Sequence, residues 1–119
     1  MIRAVTSALI LPLAAATSDP LAGRVAGPPQ DCIDASVGGP TIIDGHSVIY
    51  GLSARTLYRA EVESCPSLRP FTTLVVEMFG SRLCRNDRFR VLEPNSSIPS
   101  AYCRFSAFTP YTRVKARSD

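Results

Sequence analysis

Cys65 to Cys84 reads C-P-S-L-R-P-F-T-T-L-V-V-E-M-F-G-S-R-L-C, the densest apolar run outside the N-terminus, with a cysteine at each end. Within it, Thr72 to Phe79 is rich in β-branched and aromatic residues and is bounded by Pro70 and Gly80, which predicts a strand. A helix is the competing reading of so short a run. Consecutive Thr-Thr and Val-Val lose rotamer freedom in a helix, which favours the strand. Period two then sets Leu74, Val76 and Met78 on one face and Val75, Glu77 and Phe79 on the other. Past Cys84, Arg85-Asn86-Asp87 is a turn sequence, because Asn and Asp tolerate left-handed backbone. Arg88 to Leu92 alternates again, with Phe89 and Val91 inward and Arg88 and Arg90 outward: a half-buried strand with a basic outer face.

The same alternation recurs in both directions from this stretch. Upstream, Asp44-Gly45 is a tight-turn signal between the short strand Thr41 to Ile43 and the returning strand Ser47 to Tyr50. Thr56 to Glu63 points Tyr58, Ala60 and Val62 inward and Arg59, Glu61 and Glu63 outward. Downstream, Glu93 to Ser100 is a polar loop, and Ala101 to Phe108 is a last strand with Cys103 and Phe105 on one face and Tyr102 and Arg104 on the other. Six or seven short strands without a convincing helix predict an all-β fold, a small antiparallel barrel or curled sheet of about six strands.

The 119 residues make one domain. Its first segment has the form of a secretory signal peptide over residues 1–16: Arg3 for the positive region, Ala4 to Leu13 for the apolar region, and Ala14-Ala15-Ala16 for cleavage. That run is too short to span a membrane, so no transmembrane segment is expected after cleavage. Residues 17–30 are Pro- and Gly-rich without periodicity and predict a disordered leader. The folded domain is expected over 31–110, with a basic tail over 111–119.

The four cysteines at 32, 65, 84 and 103 predict two disulfides in an exported, periplasmic or secreted protein. With no C-x-x-C and a lone His46, neither a metal nor another cofactor is expected. Three pairings are open. Cys65–Cys84 nested inside Cys32–Cys103 is preferred, since it closes the ends of the central stretch; Cys32–Cys65 with Cys84–Cys103 comes close behind. Each bridge is worth roughly 2–4 kcal/mol.

Charge is spread unevenly. Residues 31–81 carry three basic and six acidic groups, whereas 82–117 carry eight and two. The cluster Arg82, Arg85, Arg88, Arg90 and Arg104, with Tyr102 and Tyr111 near in sequence, is therefore the candidate binding surface. It suits an anionic envelope component or an acidic protein. Solvated strand faces whose charges keep edges from pairing are the alternative reading. Arginines interleaved with aromatics also bind nucleic acid, but a mildly basic exported chain points away from that partner. The competing function is a small hydrolase-like enzyme using Asp44, His46 and Asp87. Hydrolytic groups converge from separate elements, whereas Asp44 and His46 share one hairpin, and turn-capping explains both aspartates. No catalytic residue is assigned, and a non-enzymatic binding or envelope-associated role is the expected function.

The order of features resembles a family of small exported bacterial proteins defined only as a domain of unknown function. The matching residues are Cys32, Asp44, Tyr58, Cys65, Pro66, Leu68, Leu83, Cys84, Asp87 and Cys103, a C-P-x-L … L-C-x-x-D … C pattern spanning residues 31–110. Where that pattern has Gly before the aspartate this chain has Asn86, the usual substitute in a left-handed turn. The resemblance implies an exported fold and brings no activity, cofactor or substrate.

Overall fold

The computed structural model describes residues 19–78 and 80–114; the signal peptide expected over 1–16, and the strand face expected for Phe79, lie outside the described residues. Among the described residues there are nine strands: β1 (Arg24–Ala26), β2 (Cys32–Asp34), β3 (Pro40–Asp44), β4 (Ser47–Tyr50), β5 (Thr56–Val62), β6 (Thr73–Val76), β7 (Arg82–Cys84), β8 (Arg88–Leu92) and β9 (Cys103–Arg113). A 3-10 turn, Ala35–Val37, is capped by Asp34, whose carboxylate accepts from the Ser36 N–H at 2.9 Å. The fold is all-β. The strands run in the order β3-β4-β5-β9-β8-β6 as a nearly closed antiparallel barrel of six strands, with β1 added on β9 and β2–β7 as a separate ribbon.

The strand β9 is the spine. One side pairs with β5, from Thr56↔Thr112 to Val62↔Phe105. The other takes β8 at its start, through Arg88↔Arg104 and Phe89↔Cys103, and β1 at its end, through Arg24↔Arg113 to Ala26↔Tyr111. Between them Gly27 N–H donates to the Pro110 carbonyl at 2.8 Å and Gln30 exchanges two bonds with Phe108. Without these partners half of β9 would be an unpaired edge.

Two expectations about the ends of the domain are corrected here. The stretch 17–30 is not a disordered leader throughout, since residues 24–30 run along β9. Its composition shows no periodicity because it contributes backbone pairing and one guanidinium rather than apolar side chains; Val25 is exposed. Arg24 donates to the carbonyls of Arg55 (2.8 Å), Ala54 (2.9 Å) and Tyr111 (3.1 Å), fastening β1 to the loop before β5. Likewise Tyr111, Thr112 and Arg113 are not tail but strand. Pro110 does not end β9 because its carbonyl, not its missing N–H, is what the neighbouring segment uses, through Gly27.

The core is formed by the expected inward faces. Phe89, Val91, Ala60, Val62, Phe105 and Phe108 are buried, and Leu74 and Val76 of β6 pack against them. Phe105 and Phe108 both point inward although three residues apart. A bulge makes this possible, because Ala60↔Phe108 is followed by Val62↔Phe105, three residues on β9 against two on β5. Phe105 stacks on Phe89 (centroids 4.4 Å), lies tilted to Phe108 (5.7 Å) and meets Tyr50 edge-on (6.1 Å). Glycine is required after β4: Gly51 has φ 76°, and a Cβ there would stand 2.5 Å from Val37 Cγ2.

The Tyr50 hydroxyl is buried and has no hydrogen-bond partner among the described residues, and burial pushes its pKa well above the usual tyrosine range. Removing an unmet polar group relieves its desolvation cost, so Tyr50→Phe should leave stability unchanged or raise it by up to about 1 kcal/mol. A urea melt tests this; a loss larger than that would mean the hydroxyl is satisfied in solution.

The disulfides join Cys32 to Cys84 and Cys65 to Cys103. This corrects the preferred scheme, Cys65–Cys84 inside Cys32–Cys103, and also the second, Cys32–Cys65 with Cys84–Cys103. The register decides the matter. Cys32 and Cys84 are direct partners in β2–β7, and the β5–β9 pairing brings the end of β5, and with it Cys65, to the start of β9. Two disulfides fit an oxidising, extracellular-type environment. Among the described residues no helix is long and apolar enough to cross a membrane.

Candidate functional site

The structure divides the five candidate arginines. Antiparallel register places Glu77 opposite Arg88, Val75 opposite Arg90, and Arg88 opposite Arg104. Period two then puts Val75, Glu77, Arg88, Arg90, Tyr102 and Arg104 on one outer face of the β6-β8-β9 sheet. Arg82 and Arg85 lie elsewhere. Arg82 is opposite Asp34 in the β2–β7 ribbon, and Arg85, in the turn after β7, stands 3.7 Å from Asp31.

Tyr102 is the platform of this face. The Arg90 guanidinium carbon lies 3.9 Å from its ring centroid and that of Arg88 4.5 Å, so two cations share one aromatic surface. The Tyr102 hydroxyl donates to Glu77 Oε1 at 2.8 Å, and Arg88 donates to Glu77 Oε2 at 3.0 Å. The Tyr102 hydroxyl first, then Arg88 and Arg90, hold the Glu77 carboxyl below the usual carboxylate range. Its folded-state pKa is lowered, so its stabilising contribution is present above the ordinary glutamate range and is lost as pH falls through the lowered value. Above that window Glu77 compensates one of three positive charges. Arg104 donates to the Asn86 carbonyl at 3.2 Å, and Arg90 Nε is buried without a hydrogen-bond partner among the described residues. The face therefore keeps an excess of positive charge, and its ring clamp fixes two guanidinium planes in place.

Beside Arg104 the surface dips into a hollow of about 330 Å³ that includes Glu63, Asn86, Tyr102 and Ser106, continuing into one of about 290 Å³ with Glu61 and Arg85. Arg104 itself lines this hollow together with Glu63, so its walls carry both signs of charge, while the guanidiniums of Arg88 and Arg90 lie on the sheet face against Tyr102.

The alternative catalytic set does not come together. Asp44 caps its own hairpin, accepting from the His46 N–H at 2.8 Å, and Asp87 caps the β7–β8 turn, accepting from the Cys84 N–H at 2.7 Å. His46 bonds β5 at Val62, Val62 pairs with Phe105 of β9, and Phe105 bonds Asp87. Two strands thus lie between His46 and Asp87, beyond hydrogen-bond reach. His46 lines a shallow, mostly apolar hollow of about 420 Å³ with Cys65, Pro66 and Leu68, and neither aspartate borders it. Among the described residues no three His, Cys, Asp or Glu side chains are grouped to hold a metal ion. Asn86 has φ 71°, the left-handed turn expected of it.

The chain matches no family model, no curated protein and no solved structure.

Glu77 and Val75 were missing from the sequence-level site. Their outward direction follows from alternation, but their place beside Arg88 and Arg90 needs the β6–β8 pairing, which skips over β7.

Proposed function

We propose that this is an exported, non-enzymatic bacterial binding protein whose β6-β8-β9 face recognises an anionic partner of the cell envelope. The observation that carries the reading is the pair of guanidinium groups held on Tyr102, with Glu77 as the nearest compensating acid. A planar guanidinium with free donors suits phosphate, sulfate or carboxylate oxygens. The two disulfides and the signal-like residues 1–16 support export, and the cysteine pattern supports membership of the small exported family it resembles.

The test is retention on immobilised dextran sulfate with charge-matched variants. Arg90→Gln with Arg104→Gln should elute at clearly lower salt than Arg82→Gln with Arg85→Gln, each pair removing the same charge. Equal elution of the two pairs would mean that net charge alone is being read, and would end the proposal of a dedicated face.

A further inference from the structure

We propose that Phe71 anchors the protein to an anionic phospholipid surface; this rests on the anionic-partner reading above and names the partner. The residues Arg69-Pro70-Phe71-Thr72 form a turn closed by Thr72 N–H to the Arg69 carbonyl at 3.3 Å, with the Thr72 hydroxyl on the same carbonyl at 2.6 Å. Pro70 occupies the second position and Phe71 the third, with φ 73°. Proline followed by positive φ defines a type II turn, whose third position calls for Gly or Asn. An aromatic side chain in left-handed backbone is disfavoured. Nothing local repays it, because the Phe71 side chain packs almost nowhere and the residue is 92% exposed.

The neighbouring loop shows what an unconstrained solution looks like. Glu93-Pro94-Asn95-Ser96 repeats the design, with Ser96 N–H on the Glu93 carbonyl and φ 63° at Asn95, a residue that fits. Both loops leave the same end of the sheet, where Thr73 pairs with Leu92 and Arg69 forms an ion pair with Glu93. The second loop carries Ile98, 79% exposed between Ser97 and Pro99. The two apolar side chains thus extend from one end of this sheet; on its outer face Val75 and Arg90, opposite each other, lie nearest that end, with Arg88 and Arg104 further along. Val75 is only two residues from Thr73, about 7 Å along the strand.

Apolar and aromatic side chains at a loop end, on a sheet whose outer face carries arginines in excess over acids, match the two layers of an anionic bilayer surface. The rings and aliphatic groups enter the interfacial region while the guanidiniums meet phosphates. A soluble polyanion has no use for Phe71, and the excess positive charge opposes docking of a second identical face. The lipid surface accounts for both features.

Cosedimentation with vesicles tests this. The wild-type protein should pellet with phosphatidylcholine vesicles containing phosphatidylglycerol and stay in solution with phosphatidylcholine alone. Phe71→Gly should bind the anionic vesicles about tenfold more weakly. The same variant should melt no lower than wild type, since glycine suits the turn, and should keep its retention on dextran sulfate. Ile98→Ser should weaken vesicle binding in the same direction. Unchanged vesicle binding by Phe71→Gly overturns the proposal, as does wild-type protein that holds dextran sulfate but ignores vesicles; in both cases the anionic-partner reading stands. Failure on both dextran sulfate and vesicles sinks the two together. A wild-type dimer in sedimentation velocity that Phe71→Gly abolishes would assign the ring to a second copy and likewise overturn the lipid assignment.

Discussion

Phe105→Ala should destabilise the protein by about 3–5 kcal/mol, the range for emptying a buried aromatic site. Phe105 is the point where three aromatic contacts meet: Phe89 stacked on it, Phe108 tilted to it and Tyr50 at its edge. Its neighbours come from four different strands, β4, β5, β8 and β9, so no local collapse of one loop can refill the space. A single domain is typically stable by about 5–15 kcal/mol, so the loss is a large share of the total. Urea melts of the oxidised protein would read it as a lower midpoint at similar slope. A loss below about 1.5 kcal/mol would mean that the ring is not at the centre of the core.

Replacing Cys65 and Cys103 together by serine should cost about 2–5 kcal/mol, the usual range for a native bridge in a small exported domain. The bridge closes 38 residues and ties the end of β5 to the start of β9. Its loss exposes the β5–β9 junction next to Phe105, and both cysteines are buried. Non-reducing peptide mapping supplies the complementary readout. Peptides joined through Cys32–Cys84 and Cys65–Cys103 are the expected result, whereas a Cys65–Cys84 product would contradict the strand register of β2 with β7. The double variant should still retain Cys32–Cys84, which belongs to the separate ribbon.

Much of this fold was legible residue by residue. β4 and β8 have the bounds that turn chemistry and alternation assign, Ser47–Tyr50 and Arg88–Leu92. The inward residues Phe89, Val91, Ala60 and Val62 follow from period two, a local rule of strand geometry. The strands β1, β2 and β7 escaped notice because each is three residues long, too short to show a period. Phe108 escaped for another reason: the bulge at Ala60/Val62 breaks the alternation in the middle of β9, and nothing in the residues themselves marks it.

The candidate site was legible only in part. The arginines were visible as a cluster in sequence, and Arg88, Arg90 and Arg104 do share a face. Arg82 and Arg85 were included by proximity along the chain and drop out because β7 pairs with β2 rather than with β8. Phe71 carries a signal of its own in the sequence, a proline followed by a residue ill-suited to the turn that proline starts.

What the sequence determined by itself is whatever depends on neighbours in the chain: the all-β class, most strands and their buried faces, the left-handed turn at Asn86, and an even set of cysteines suited to an oxidising compartment. The tertiary structure alone decided which cysteines meet, which arginines stand together on Tyr102, and that residues 24–30 complete the edge of β9. The physical reason is the same in each case. Antiparallel pairing between distant segments is set by how the whole sheet closes, and a pattern of period two is compatible with several partners until the register selects one.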